Sequence, residues 1–181
     1  MKSLPQSDSF LLQAAEGWLM LGNPVEANEE LEKITSNYRY HPAVLAVRWQ
    51  VYAAAEWWEA AWVVSKALCD LVPDCPEAWI CQANTLRKHR GLLEARELLL
   101  GVVDKFSDNA VVRYNLACYC AQLGLLDEAS AWLIKAFEMK NTMPLRLAAV
   151  YDTDLKPLWD KIGKCDVLAV EVSLKQAETT V

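Results

Sequence analysis

The chain has 181 residues, 54% of them hydrophobic, and a net charge of −6. That length fits one compact unit or one short array, with enough apolar side chains for a continuous core. Residues 1–75 hold ten acids against five bases and residues 76–143 hold equal numbers of each. This balance excludes a basic face for nonspecific nucleic-acid binding or for an anionic membrane surface. No run approaches the ~18 apolar residues of a membrane span.

The elements read as helices throughout, because no segment shows the alternation or β-branched clustering of a strand. Phe10–Leu21 is only partly apolar, contains Gln13 and Glu16 and follows Asp8, so it reads as a helix over 9–21 and not as a secretory leader. Gly22 ends it, and Asn23-Pro24 caps a second helix over 24–37. Pro42 opens a helix over 42–55, and Ala55-Glu56 makes a turn without glycine before a helix over 58–71. Pro76 precedes a helix over 77–90, and Gly91 a helix over 92–106. Asp108-Asn109 offers caps for a helix over 110–123, and Gly124 leads to one over 126–139. Leu145–Tyr151 reads as one more helix, and Leu155, Leu158, Trp159 and Ile162 as an apolar stripe on a short one. Asp166–Ala177 reads as a last helix with Val167, Val170 and Leu174 on one face, and Glu178–Val181 as a frayed end.

These helices repeat. Ala27, Ala61, Ala95 and Ala129 stand 34 residues apart, the period of a helix–turn–helix array. With repeat starts at Asp8, Pro42, Pro76 and Ala110, a second column holds Ala15, Trp49, Ala83 and Ala117. A third holds Leu31, Ser65, Leu99 and Leu133, and a fourth Ile34, Leu68, Val102 and Ala136. Small residues recur where helices must approach closely and larger ones where they fill the space between. Trp49 and Ser65 do not fit, which predicts a shift of about one residue in the second repeat, with Val64 and Ala67 in the core.

The columns resemble the tetratricopeptide repeat. The clearest copy holds Tyr114-Asn115-Leu116-Ala117, Leu123-Gly124, Asp127-Glu128-Ala129 and Lys135-Ala136-Phe137, and Pro76-Glu77-Ala78-Trp79 opens another in the family manner. Asp152-Thr153-Asp154-Leu155-Lys156-Pro157-Leu158-Trp159 resembles the ending of many bacterial repeat proteins of this family. The resemblance implies an all-α fold, a right-handed α-solenoid of antiparallel helix pairs. Its repeats cover 8–41, 42–75, 76–109 and 110–143 within a 1–143 array. Residues 144–181 form capping helices and a tail. Each repeat leaves an apolar face that only its neighbours can bury.

The residues carry no sign of an enzyme, cofactor or metal centre. Cys118 and Cys120 would point about 200° apart on a helix and cannot share a ligand, and Cys120 falls in a core column with Trp18, Tyr52 and Leu86. Cys69, Cys75 and Cys81 lie near one turn without a histidine at zinc spacing. With Cys165 they read as free thiols of a cytoplasmic protein. Neither His41 nor His89 has a nucleophile at recognisable spacing.

The resemblance places first helices along a concave groove. Its stripe includes Gln50, Ile80, Asn84, Arg87, Lys88, Tyr114 and Cys118, with Asn115 beside Tyr114. An asparagine offers a donor and an acceptor to a peptide backbone. In the family, asparagines at the positions of Asn84 and Asn115 clamp a terminal carboxylate. The lysine and basic residues that complete the clamp are replaced here by Ile80, Leu145 and Ala149, so that activity is not expected. The sequence thus predicts a non-enzymatic scaffold that binds a peptide or helix of a partner protein in the groove. The alternative is a self-assembling structural subunit that associates through a surface bearing Trp57 and Trp62 or through a solenoid end, although these tryptophans also fit packing against the next repeat.

Overall fold

The computed structural model describes residues 3–160 and 162–163. Cys165, the segment 166–177 expected to be helical and the tail 178–181 lie outside the described residues. The chain divides into two compact units, Met1–Leu98 and Leu99–Val181, and among the described residues every regular element is a helix.

The first unit contains α1 (Gln6–Met20), α2 (Pro24–Glu32), α3 (Pro42–Ala54), α4 (Trp58–Leu71), α5 (Pro76–His89) and the start of α6 (Leu92–Leu100). Helix α1 packs on α2 and α3, and α3 packs on α4 and α5. The helix starts follow the chain's own chemistry. Asn23 Oδ1 accepts the Glu26 N–H at 3.3 Å, and His41 Nδ1 accepts the Ala43 N–H at 3.3 Å. Proline occupies the first position of α2, α3 and α5, where its missing N–H has no partner to lose.

The turns between paired helices repeat one closure. The N–H groups of Asn23, Trp57, Gly91 and Leu125 donate to the carbonyls of Trp18, Tyr52, Leu86 and Cys120, at 2.9, 2.8, 2.8 and 2.9 Å. Donors and acceptors both advance by the 34-residue period, so the same backbone closure is made four times, with a left-handed residue before the donor in the first, second and fourth copies, whereas Arg90 in the third keeps φ −125°. Gly22 and Gly124 supply the positive φ in two of them, at 72° and 77°. In the second repeat Glu56 takes φ 58°, paying for the missing glycine with about 1 kcal/mol of local strain.

The core of the first unit joins Ala15, Ala27, Leu31, Ile34, Val44, Val47 and Val51, followed by Leu45, Val64, Leu68, Cys69 and Ala78. The second repeat needs no register shift. Ser65 is fully buried in its own column, with its hydroxyl donating to the Trp62 carbonyl at 3.1 Å. Val64 is buried beside it, while Ala67 is only half-buried. Trp49 fits because its indole Nε1–H donates to Thr85 Oγ1 at 2.7 Å, reaching α5 where an alanine could not.

Two second helices end earlier than the periodicity predicts. Helix α2 stops at Glu32 because the next residues bond elsewhere. The Thr35 N–H and hydroxyl donate to Asp8 Oδ1 at 3.2 and 3.1 Å, and Arg39 donates to the carbonyls of Ile34 and Glu32. Asp8 is therefore a buried anchor in the first turn of α1, which begins at Gln6. Helix α6 stops at Leu100, one residue before Gly101, and a run of turns replaces its expected end up to residue 108.

Arg48 is buried and donates to Glu32, to the Tyr52 hydroxyl at 3.2 Å and to the Leu31 carbonyl at 3.3 Å. The hydrogen bond from Arg48 holds the Glu32 carboxyl below its ordinary value of 4.5. A lowered folded-state pKa gives stability that is present above 4.5 and lost as pH falls through the folded value. Glu32→Gln is therefore expected to cost up to about 1 kcal/mol at neutral pH, since Glu32 is half exposed, and to cost less at pH ~3. Urea unfolding at the two pH values checks this, and an equal cost at both would contradict it.

The second unit contains α7 (Ala110–Gln122), α8 (Leu126–Phe137), α9 (Met143–Ala149) and a 3₁₀ segment, Thr153–Leu158. Asn109 Oδ1 caps α7 by accepting the Val111 and Val112 N–H groups at 3.0 and 3.1 Å. Helix α7 packs against α8 and against the 3₁₀ segment. Arg146 ties α9 to the end of α8 by donating to the Phe137 carbonyl at 2.7 Å, with its guanidinium over the Phe137 ring.

Candidate functional site

The groove residues expected from the sequence fall in both units, so each set is described within its own. In the first unit Gln50 on α3 is exposed, as are Ala43 and Ala54 along the same helix. On α5, Ile80, Asn84 and Arg87 are half-buried and Lys88 is exposed. Their +4 and +3 spacing puts Ile80, Asn84 and Arg87 on one face of α5. The last turn of α5 carries Arg87, Lys88 and His89, where the helix dipole favours cations. This face combines small walls, an aliphatic side chain, two amides and positive charge.

The corresponding stripe of the second unit is closed by the chain itself. Tyr114 and Cys118 are both buried, at 8% and 4% exposure, although the sequence predicted them on an open groove. The Tyr114 hydroxyl donates to Asp152 Oδ2 at 2.7 Å, and the Cys118 thiol donates to the same oxygen at 3.6 Å. Asp152 Oδ1 accepts the Asp154 N–H at 3.0 Å, which caps the 3₁₀ segment, and the Trp159 indole donates to the Asp152 carbonyl at 3.2 Å. Leu155, Leu158 and Ile162 are buried with it. Burial, reinforced by the bond to Asp152, pushes the Tyr114 phenol upward, so it remains a protonated donor. The neighbouring Asn115 amide donates to its own helix, to the Val111 carbonyl at 2.9 Å.

The sequence set Asp152 in a family-like ending but gave it no place at the groove. Its signal was an Asp two residues before Asp154 at the start of a Leu-x-x-Leu stripe, a cap followed by an apolar face. Donor atoms of Cys118, Asp152 and Asp154 lie within 4.8 Å of one another. The hydrogen bonds of Asp152 account for that convergence, since both its oxygens already accept from protein donors.

Cys69, Cys75 and Cys81 are poor nucleophiles. Burial pushes Cys69 and Cys81 up to about 12, and Cys75 is also raised, first by burial and then by its hydrogen bond to Glu77. Cys69, Cys75, Cys81, Cys118 and Cys120 are thiols that form no disulfide with one another.

The two tryptophans of the second surface differ. Trp57 is 43% exposed and its ring lies 5.7 Å from that of Tyr52. Trp62 is half-buried, with the Arg90 guanidinium 4.7 Å, the Lys66 ammonium 5.6 Å and the His89 ring 6.5 Å from its ring centre. His89 Nε2 is 3.1 Å from a Glu59 oxygen. Trp62 thus packs against the end of the next helix instead of forming an open pair with Trp57.

Among the described residues no helix is long and apolar enough to cross a membrane. No family model matches the chain, and no curated protein matches it in sequence. Solved structures of MamA, a tetratricopeptide-repeat protein, share its fold. MamA 41-end from Desulfovibrio magneticus RS-1 is 18% identical, with a TM-score of 0.62 over 96% of this chain and 99% of that one. The MamA RS-1 ArsTM double mutant gives the same identity and score over 96% and 98%. MamA MSR-1 C2 is 17% identical, with a TM-score of 0.58 over 72% and 75%. The chain therefore has the tetratricopeptide-type α-solenoid fold.

Proposed function

We propose that this tetratricopeptide-type solenoid is a non-enzymatic interaction scaffold that binds a peptide or helix of a partner protein on the first-helix face of its Met1–Leu98 unit. The observation that carries the reading is the contrast between two equivalent stripes. In the second unit Tyr114 and Cys118 are spent on the chain's own Asp152–Leu158 segment. In the first unit Gln50 and Lys88 are exposed, and Ile80, Asn84 and Arg87 are half-buried along one face of α5. Amides suit a peptide backbone, and Ile80 with the small alanines suits an apolar side chain. Self-association through Trp57 and Trp62 is the weaker reading, because the Trp62 ring is already covered by cations.

The test is capture of partners from the source cells by the immobilised chain. Gln50→Ala with Asn84→Ala is expected to weaken capture roughly tenfold, the value of two hydrogen bonds, with unchanged helicity. Asn115→Ala, beside the closed stripe of the second unit, serves as the control and is expected to capture normally. Equal capture by all three proteins removes this face from the mechanism.

A further inference from the structure

The chain is acidic overall, yet four basic side chains run consecutively at Arg87, Lys88, His89 and Arg90. The dipole of α5 explains why cations gather at its C-terminus. It does not explain where they are held. Arg90, just past the helix, lays its guanidinium 4.7 Å from the ring centre of Trp62 on α4. Lys66, one turn further along α4, brings its ammonium to 5.6 Å from the same ring. His89 completes the group and is occupied by Glu59.

Lys66 and Arg90 are both exposed, and neither forms an ion pair among the described residues. Stacking on an indole restrains a guanidinium and leaves its N–H edge free for a carboxylate. Lys88, also exposed, extends the positive charge along α5. Two exposed cations thus lie against one indole without an ion pair among the described residues, on a chain that elsewhere carries an excess of acid.

We propose that Trp62, Lys66 and Arg90 form a recognition edge for an acidic, extended segment of the partner protein, read through its Asp and Glu side chains. This deepens the scaffold reading, on which it rests, but centres on Trp62, Lys66 and Arg90, which lie outside the Gln50/Asn84 face, and shares only Lys88 with it. Carboxylates are favoured over a nucleic-acid backbone because so small a cluster neutralises few phosphates of a continuous backbone, whereas a short acidic segment presents only the few charges it needs to meet. Bidentate pairing of Arg90 with a carboxylate is the anchor, and Lys66 and Lys88 supply steering that salt screens.

The probe is a short labelled peptide rich in Asp and Glu, followed by fluorescence anisotropy at low and high salt. A peptide of the same pattern with Asn and Gln is the control. The acidic peptide is expected to bind, to weaken with salt and to outcompete the control. Lys66→Gln with Arg90→Gln is expected to weaken it by about tenfold or more. Both sites are exposed, so circular dichroism of the variant should match the parent. Equal binding of both peptides, an unaffected double variant, or tighter binding of a single-stranded DNA oligomer would each overturn the proposal. If the acidic peptide fails while the Gln50/Asn84 variant still loses its partner, only the edge falls; if both fail, the scaffold reading falls with it.

Discussion

Alanine at both Leu155 and Leu158 is expected to lower the stability of the Leu99–Val181 unit by on the order of 5 kcal/mol. The two side chains are buried, at 0% and 1% exposure, and each Leu→Ala change in a core costs roughly 2–5 kcal/mol. The expected loss is comparable with the whole stability of a small domain. The 3₁₀ segment also carries Asp152, so its release uncovers Tyr114 and Cys118. Urea unfolding should show the second unit melting early or already open in buffer. A thiol reagent should label Cys118 in the variant, while Cys69 in the first unit stays protected. Asp152→Asn is the milder companion. It keeps the leucines and should lose about 1–3 kcal/mol, through hydrogen bonds alone. An unchanged urea transition in the double variant would mean that the segment is an ornament on α7 and that the stripe beneath it is available to a partner.

That segment also shows where sequence reading stops. The alanine column, the prolines that open α2, α3 and α5 and the Asn23 and Asn109 caps are local features, and each holds in the structure. What went unread is bonding between residues far apart in the chain. Asp8 meets Thr35 across 27 residues and shortens α2. Trp49 meets Thr85 across 36 and removes the need for a shifted register. Tyr114 meets Asp152 across 38 and closes half of the expected groove. Periodicity says which face of a helix a residue occupies, but not what comes to cover that face. Gln50 and Tyr114 belong to equivalent stripes and end in opposite environments for that reason. Glu56 is a second kind of omission, because nothing in Ala55-Glu56 announces a left-handed residue.

The period itself is open to a direct test at Ala61. Ala27, Ala61, Ala95 and Ala129 are all at 0% exposure, so each methyl is shut off from solvent by its neighbours. Ala61→Leu adds three carbons at a point where α4 is packed by both α3 and α5. Overpacking a tight core costs typically 1–3 kcal/mol, and the upper end is expected here, because α3 and α5 both pack against α4. Val63→Leu lies on the same helix at 56% exposure and separates crowding from helix propensity. Its urea midpoint should stay with that of the parent. Ala61→Gly removes volume instead of adding it and should cost about 1 kcal/mol, mainly through helix propensity. A large loss for Ala61→Leu, a small one for Ala61→Gly and none for Val63→Leu is the pattern of a position fixed by close helix approach. If Ala61→Leu were as stable as the parent, the alanine spacing would reflect composition and not packing, and the column could no longer be used to separate core positions from those left for binding.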